Sequence, residues 1–201
     1  MAVGLGNPGA EYERTRHNVG AEAVTLLANR HGGRLSLTRI LRSLTTEVRV
    51  SGLLLALAVP RTYMNESGAA MVPLVRRYGV TTMAALVVVH DEMDLPAGRV
   101  KVKVGGGTAG HNGLRSIQAH LHEIAFVRVR IGIGKPPGRQ AGADYVLRPP
   151  GRTERAELDV AVEEAADAVE EILTTGVAGA MNRFNATSPG VVDAPDGGPD
   201  A

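Results

Sequence analysis

The stretch RVKVKVGGGTAGHNGLRSI, residues Arg99–Ile117, carries the clearest structural signal in the chain. Val100, Val102 and Val104 alternate with charged residues, which predicts a half-buried strand. The glycines that follow allow a backbone to approach a ligand closely, and amide groups at the start of a helix favour anions. The pattern therefore predicts a strand, a pocket floored by glycines, and then a helix.

The same stretch shares its glycine spacing with a nucleotide-binding P-loop. Gly105 and Gly110 are separated by four residues, but His111 and Asn112 stand where that motif needs Lys and then Ser or Thr. Without the Lys that reaches the β- and γ-phosphates, nucleotide hydrolysis is not expected. The pocket instead presents an imidazole and a carboxamide.

The composition is that of a globular protein without disulfides. The chain has 201 residues, of which 44% are hydrophobic and 21% charged, and it contains no cysteine. Disulfides, thiolate metal sites and Cys nucleophiles are thus excluded, which fits a reducing compartment. No apolar run reaches the roughly 18 residues of a membrane span, and the start lacks the features of a signal peptide. We expect a cytoplasmic protein without a membrane partner, and the net charge of +1 by itself says nothing about nucleic acid.

Hydrophobic periodicity predicts a single α/β domain over residues 1–186, with a twisted mixed β-sheet flanked by α-helices. A Ser51-Gly52 turn predicts a hairpin, and Pro73 predicts a kink or a boundary in the second helix. Predicted strands cover residues 2–5, 44–50, 53–59, 84–89, 100–104 and 126–133, with an extended piece at 145–147. Predicted helices cover residues 18–31, 63–78, a segment from about 112, 153–174 and 177–184. Residues 187–201 are rich in Pro, Gly and Asp and are predicted to form a disordered tail.

The segment Gly4-Leu5-Gly6-Asn7-Pro8-Gly9 matches the dinucleotide-binding pattern GxGxxG literally. That function needs a full strand before the glycines and a helix that begins at the third one. Here the preceding strand is very short and Pro8 stiffens the turn, so we predict a turn without a nucleotide. Asn7, at its tip, is placed to face a site.

His17 precedes the first predicted helix, where a lone His most often lies on the surface or caps a helix. Asp91 ends a buried strand, and sites form at the ends of strands in open α/β sheets. A carboxylate there can hold an imidazole in one tautomer and make it a better proton acceptor. His90, Asp91 and Asp94 are an alternative metal-binding group, but no metal-ligand spacing supports it, and no metal or cofactor is predicted.

Asn65 and Asn112 each lie at the start of a predicted helix. They are therefore candidate helix caps, or carboxamides that hydrogen-bond a substrate carbonyl or hydroxyl. The chain has no Ser in a GxSxG motif and no Cys, so any hydrolysis here is expected to use an activated water.

Four cations alternate along two predicted strands, Lys101 and Lys103 on one and Arg128 and Arg130 on the other. Each pair points to one face of its strand. Such a cluster fits a phosphate backbone, and it equally fits a solvated sheet face.

Five segments, in order from Val3 to about Phe184, resemble those of the bacterial peptidyl-tRNA hydrolase family, which is monomeric and cleaves stalled peptidyl-tRNA. They read GLGNPGAEYERTRHNVG, PRTYMNESG, VVVHDEMDLPAGRVKVKVGGG, GHNGLRSI and VRVRIGIGKPPGR. Each segment alone is weak, but five in order are highly specific. The resemblance implies hydrolysis of the ester between peptide and tRNA, with peptidyl-tRNA as the partner.

The resemblance also implies residue roles. His17 matches the general base, Asp91 the carboxylate that stabilises its basic form, and Asn7 the residue that distinguishes blocked from free aminoacyl-tRNA. Lys103 and Arg130 match cations that hold the tRNA 5′-phosphate. Positions that contact the tRNA end and the peptide are matched by Tyr12, Tyr63, Asn65 and Asn112. An RNA-binding protein that has lost catalysis is the alternative. Four intact residues argue against it: His17, Asp91, Asn7 and Asn65.

Three departures from the family pattern bear on stability. The first strand is short, which raises the question of a weakened sheet near Asn7. Ala109 stands where many relatives have glycine, and a positive φ there would cost on the order of 1 kcal/mol. Ala21 replaces a usual aromatic residue, so the first helix has less to bury.

Overall fold

The computed structural model of the protein describes residues 1–138 and 141–186. The predicted tail, residues 187–201, lies outside the described residues. Within the described ranges, seven strands form one mixed sheet in the order β2-β3-β4-β1-β5-β7-β6. The strands are β1 (Ala2–Gly4), β2 (Ser36–Thr38), β3 (Ser43–Val50), β4 (Leu53–Pro60), β5 (Val87–Glu92), β6 (Val100–Val104) and β7 (Val127–Gly132). The helices are α1 (Val19–Arg30), α2 (Ser67–Arg77), α3 (Asn112–Leu121), α4 (Gly142–Val146) and α5 (Arg152–Phe184).

Helices cover both faces of the sheet, as the predicted fold class requires. Apolar residues of α1 and α5 pack on one face, and those of α2 and α3 pack on the other. β1, β4, β5 and β7 run parallel through the middle, while the β3–β4 hairpin and β6 add antiparallel pairs. The central strands are buried on both sides, which explains their continuous apolar sequences.

The short first strand is not an edge. β1 lies between β4 and β5, and pairs with both in parallel. Its carboxyl end therefore opens at the centre of the sheet, beside that of β5. The close approach of α1 to this end requires Gly20, because a Cβ there would lie 2.2 Å from the Val89 carbonyl oxygen. This contact brings the residues just before α1 next to the end of β5.

Most predicted elements are present, and three differ in detail. The strand expected at residues 84–89 begins and ends later, as β5, so that Asp91 lies within it. The extended piece predicted at 145–147 is wrong, because Tyr145 and Val146 belong to the helical turn of α4 and are buried there. α2 continues through Pro73. The two final helices are confirmed as the parts of α5 on either side of Gly176, whose φ of 85° is not helical.

Among the described residues, no helix has both the length and the apolar character needed to cross a bilayer.

Candidate active site

His17 and Asp91 form a buried pair at the carboxyl edge of the sheet. His17 lies in a 3₁₀ turn, Arg16–Asn18, directly before α1, and Asp91 lies near the end of β5. The His17 Nδ1 and Asp91 Oδ1 atoms are 2.8 Å apart, and the residues are only 7% and 3% exposed. An ionised carboxylate can only accept, so Nδ1–H donates to it. The lone pair of Nε2 is then free to take a proton.

His111 makes the pair a group of three. Its Nε2 lies 3.0 Å from the same Asp91 oxygen, and its Nδ1 accepts from the backbone N–H groups of Gly113 and Leu114. The Nε2 contact with Asp91 and the two backbone N–H groups that donate to Nδ1 together fix the orientation of the His111 ring. His111 is also the N-cap of α3.

The charges of this group act on each other. Burial by itself raises the pKa of Asp91, but His17 and His111 outweigh it and hold that pKa well below its ordinary value. Burial also lowers the pKa of His17, but the charge and the hydrogen bond of Asp91 win, and the His17 pKa is raised above its ordinary value. Asp91 is therefore ionised near neutral pH, and it makes His17 a stronger base.

His90 has a separate role behind this group. It is 1% exposed, its Nδ1–H donates to the Asp91 carbonyl oxygen at 2.6 Å, and its ring lies edge-on to His111. Burial, together with the neighbouring His111, holds the pKa of His90 well below its ordinary value, so the ring is neutral. His90 and Asp94 do not join Asp91 in a common cluster, since Asp94 is exposed and pairs with Lys135.

Within the described ranges, the group of side chains that could hold a metal ion is His17, Asp91 and His111, whose donor atoms all lie within 4.8 Å of one another. Two imidazoles and a carboxylate suit a transition metal. In this arrangement the hydrogen bonds among the three residues already satisfy these atoms.

Asn7 is fixed by three hydrogen bonds across the site. Its Oδ1 accepts from the Met64 N–H at 2.8 Å, its N–H donates to Asn18 Oδ1 at 2.8 Å, and its carbonyl accepts from Asn18 Nδ2 at 3.0 Å. The Met64 N–H fixes the orientation of the Asn7 carboxamide, and its Nδ2 is the donor that Asn7 can offer to a ligand.

Two cavities meet at His17 and Asn112, beneath the α4 residues Ala143 and Val146. The first, of about 120 Å³, extends toward Asp91, Met93 and His111. The second, of about 220 Å³, extends toward the predicted residues Asn7, Tyr63 and Asn65. The remaining aromatic candidate, Tyr12, is not in either lining but has its ring 6.4 Å from that of Tyr63.

The predicted site residues are thus largely brought together, with some corrections. Neither Asn65 nor Asn112 caps a helix through its side chain: Asn65 lies in the turn Met64–Glu66, and α3 is capped by His111. His111 was predicted to present its imidazole in the pocket, but its contact with Asp91 was not predicted. Its position at the end of the glycine loop is the sequence signal that pointed to it.

Ala109 has the left-handed backbone that the sequence raised as a question, with φ at +47°. It lines the cavity beside His111. An alanine in this region carries strain of roughly 1–2 kcal/mol.

The four cations share one face of the sheet but not one role. Lys103 is paired in register with Arg128, and Lys101 with Arg130. Arg130 donates from Nε to Glu92 at 3.1 Å. Arg128 is 4% exposed and donates to the Gly106 and Gly107 carbonyls, so it is not on a solvated face.

The chain is similar to known proteins over nearly its whole length. A family model described as "Peptidyl-tRNA hydrolase" matches residues 1–190. Peptidyl-tRNA hydrolases of Rhodococcus erythropolis and Nocardia farcinica are each 49% identical to this chain, covering 92% of it and 97% and 95% of their own lengths. The crystal structure of peptidyl-tRNA hydrolase from Acinetobacter baumannii is 38% identical and superposes with a TM-score of 0.87, covering 94% of this chain and 95% of that one.

Proposed function

This chain belongs to the peptidyl-tRNA hydrolase family, and on that premise we propose that His17 activates the water that attacks its substrate. The protein hydrolyses the ester that joins a peptide to the ribose of tRNA, and so releases free tRNA. The observation that carries the mechanism is the His17–Asp91 hydrogen bond of 2.8 Å at the junction of two cavities.

The proposed reaction needs only acid–base chemistry. His17 Nε2 takes a proton from water while the water oxygen attacks the ester carbonyl carbon. The tetrahedral intermediate then expels the ribose oxygen, which recovers the proton from the imidazolium. Asp91 stabilises the imidazolium throughout and keeps the Nδ1–H tautomer. An alcohol is a far better leaving group than an amine, so an activated water suffices for an ester.

Asn112 lies beside His17 in both cavities, and Asn65 lies in the larger one. In the proposal, one of these carboxamides donates to the ester carbonyl oxygen. A donor aimed at that oxygen stabilises the negative charge that develops there.

Asn7 accounts for selection of blocked substrates. Its available Nδ2 is a donor, and the acyl carbonyl of an N-blocked amino acid is an acceptor. A free aminoacyl-tRNA has an ammonium group at this place, which has donors only and cannot accept. Free aminoacyl-tRNA is therefore spared.

The tRNA end is assigned to residues on either side of these cavities. Tyr63 is 52% exposed and stands beside Tyr12, so the two rings offer a surface for stacking with a terminal base. Lys103 and Arg130 lie on adjacent strands and are proposed to bind the 5′-phosphate. Lys103 would contribute a compact positive charge, and Arg130 would donate through its guanidinium.

We further propose that the enzyme acts as a cytoplasmic monomer without a metal or cofactor. The support is that one chain supplies His17, Asp91, Asn7 and Asn112, and that the chain has no cysteine. The competing proposal, a tRNA-binding protein without catalysis, does not explain why His17 and Asp91 remain paired.

The test compares N-acetyl-aminoacyl-tRNA with unblocked aminoacyl-tRNA, with Mg²⁺ present and a chelator selective for transition metals. Release from the blocked substrate alone, unchanged by the chelator, is expected. Equal release from both substrates would contradict the role of Asn7, and loss of activity with the chelator would contradict the metal-free mechanism. Binding of tRNA without any release would favour the non-catalytic alternative.

A further inference from the structure

We propose that Arg128 and Gly106 are positioning residues that hold Lys103 in place for the tRNA 5′-phosphate. This inference rests on the proposed function, in which Lys103 contacts that phosphate. It concerns the glycine loop Gly105–Gly107, which follows β6 directly and which the catalytic chemistry does not use.

Arg128 anchors the loop from behind. Its Nη1 donates to the Gly107 carbonyl and its Nη2 to the Gly106 carbonyl, both at 2.6 Å. The side chain is buried, and its guanidinium carbon lies 5.2 Å from the Phe126 ring centre. A planar guanidinium presents two N–H groups in a fixed fork to the two adjacent carbonyls, whereas an ammonium group is a compact charge on a flexible stem and lacks that geometry.

Arg128 is not itself placed to bind a phosphate. Both of its terminal nitrogens face the loop, and only 4% of the residue is exposed. Burial, with the nearby charge of Arg130, lowers the pKa of Arg128 to about 10, but it stays protonated at neutral pH. Its charge therefore serves the loop carbonyls.

Gly106 connects the loop to Lys103. A methyl group placed on Gly106 would lie 3.0 Å from Lys103 Cε and 3.5 Å from Nζ, so the end of the lysine side chain packs over the bare glycine. The φ of Gly106 is +92°, a conformation that side chains rarely adopt. Lysine has a long flexible stem, and contact with an anchored loop restricts where its charge can lie.

The experiment measures kcat/KM on N-acetyl-aminoacyl-tRNA that carries either a 5′-phosphate or a 5′-hydroxyl. The ratio of the two values is the phosphate preference. It is measured for the wild type and for Lys103→Gln, Gly106→Ala, Arg128→Gln, Arg128→Lys and Gly107→Ala. The last variant is the matched control, because a methyl group on Gly107 has no heavy atom within 4 Å and alanine keeps the carbonyl that Arg128 uses.

We expect Gly106→Ala and Arg128→Gln to lose most of the phosphate preference, about tenfold if one charge-assisted contact is lost. Their kcat/KM on the 5′-hydroxyl substrate should stay within about threefold of wild type, since His17 and Asp91 are untouched. Arg128→Lys should not restore the preference, and Gly107→Ala should retain it. A purely structural role would lower both kcat/KM values together and leave the ratio unchanged.

The outcomes separate this inference from the proposal beneath it. If Lys103→Gln keeps the preference, Lys103 does not read the phosphate, and both the proposed contact and this inference fail. If Lys103→Gln loses the phosphate preference while Gly106→Ala and Arg128→Gln both keep it, Lys103 does bind the phosphate. In that case only the positioning role of Gly106 and Arg128 is overturned. Gly106→Ala also decides the question if the Arg128 variants do not fold.

Discussion

Replacing Asp91 with Asn tests how the site makes His17 a base. The change keeps the size and shape of the side chain but removes a charge whose Oδ1 lies 2.8 Å from His17 Nδ1 and 3.0 Å from His111 Nε2. Asparagine can still accept one hydrogen bond, but it does not stabilise an imidazolium. It can also rotate to present its NH₂ group, which would favour the wrong His17 tautomer.

The size of the effect follows from the geometry. General-base catalysis contributes about 10²- to 10⁴-fold, and we expect Asp91→Asn to lower kcat by a factor in this range. Asp91 is 3% exposed and lies behind His17, so KM should change by less than about threefold. The losses in kcat and kcat/KM should therefore be nearly equal.

The pH profile should move in a defined direction. In the wild type, burial lowers the pKa of His17, but Asp91 raises it by more, so that the pKa lies above 6.5. Activity should therefore rise with pH through this pKa. In Asp91→Asn the burial remains and the charge is gone, so the pKa of His17 falls. The residual activity should reach its plateau at lower pH than the wild type does.

The assay is single-turnover hydrolysis of N-acetyl-aminoacyl-tRNA from pH 5 to 9. Asp94→Asn is the matched control, because Asp94 lies just after β5 but is exposed and pairs with Lys135. It should stay within about twofold of wild type. An Asp91→Asn enzyme with wild-type kcat, or with its profile moved to higher pH, would refute the role given to Asp91.

Three further substitutions have defined outcomes. Arg16→Gln removes a buried guanidinium that is bonded to Glu154 at 2.6 and 2.5 Å, and it should lower the free energy of unfolding by about 3 kcal/mol, measured by urea denaturation. The control Arg14→Gln removes one partner of an exposed ion pair and should change the free energy of unfolding by under about 0.5 kcal/mol. Equal effects of the two variants would contradict the inference that burial makes the Arg16 ion pair more stabilising than the Arg14 pair. Ala109→Gly should raise the free energy of unfolding by about 0.5 kcal/mol, because the relief of left-handed strain at Ala109 exceeds the entropy cost of glycine. A lower free energy of unfolding in this variant would show that Ala109 is not strained at its φ. Asn7→Ala should narrow the preference for N-acetyl- over free aminoacyl-tRNA in kcat/KM by roughly tenfold, and an unchanged preference would contradict its role as the donor.

Local patterns predicted the parts of the site that lie at the ends of regular elements. Asp91 could be found because a buried strand leads to it, whereas the position of His17 before a helix is equally typical of a surface or capping residue, and its role came from the family resemblance. The topology of α/β sheets placed Asp91 where sites form, the family resemblance implied that it stabilises His17, and the structure brings the two side chains to 2.8 Å.

His111 could not be assigned in the same way. Its contact is with a carboxylate oxygen that His17 also uses, and such sharing depends on how α3 docks against the end of β5. The glycine loop indicated that His111 lies in a pocket, but it did not indicate that Asp91 is its hydrogen-bond partner.

The cations show a second limit. Arg128 and Arg130 occupy equivalent positions in one alternating strand, so the sequence assigns them the same environment. The loop Gly105–Gly107 folds over Arg128 alone, and burial separates their roles. α4 is a third case, since the three residues 145–147 are too few to distinguish an extended period from a helical turn.

The most direct test of the central claim is single-turnover hydrolysis of N-acetyl-aminoacyl-tRNA by His17→Ala, with tRNA binding measured on the same preparation. We predict binding within about threefold of wild type and hydrolysis at least about 10²-fold slower, because the base that activates water is gone. Hydrolysis at the wild-type rate would contradict it and require another base in this site.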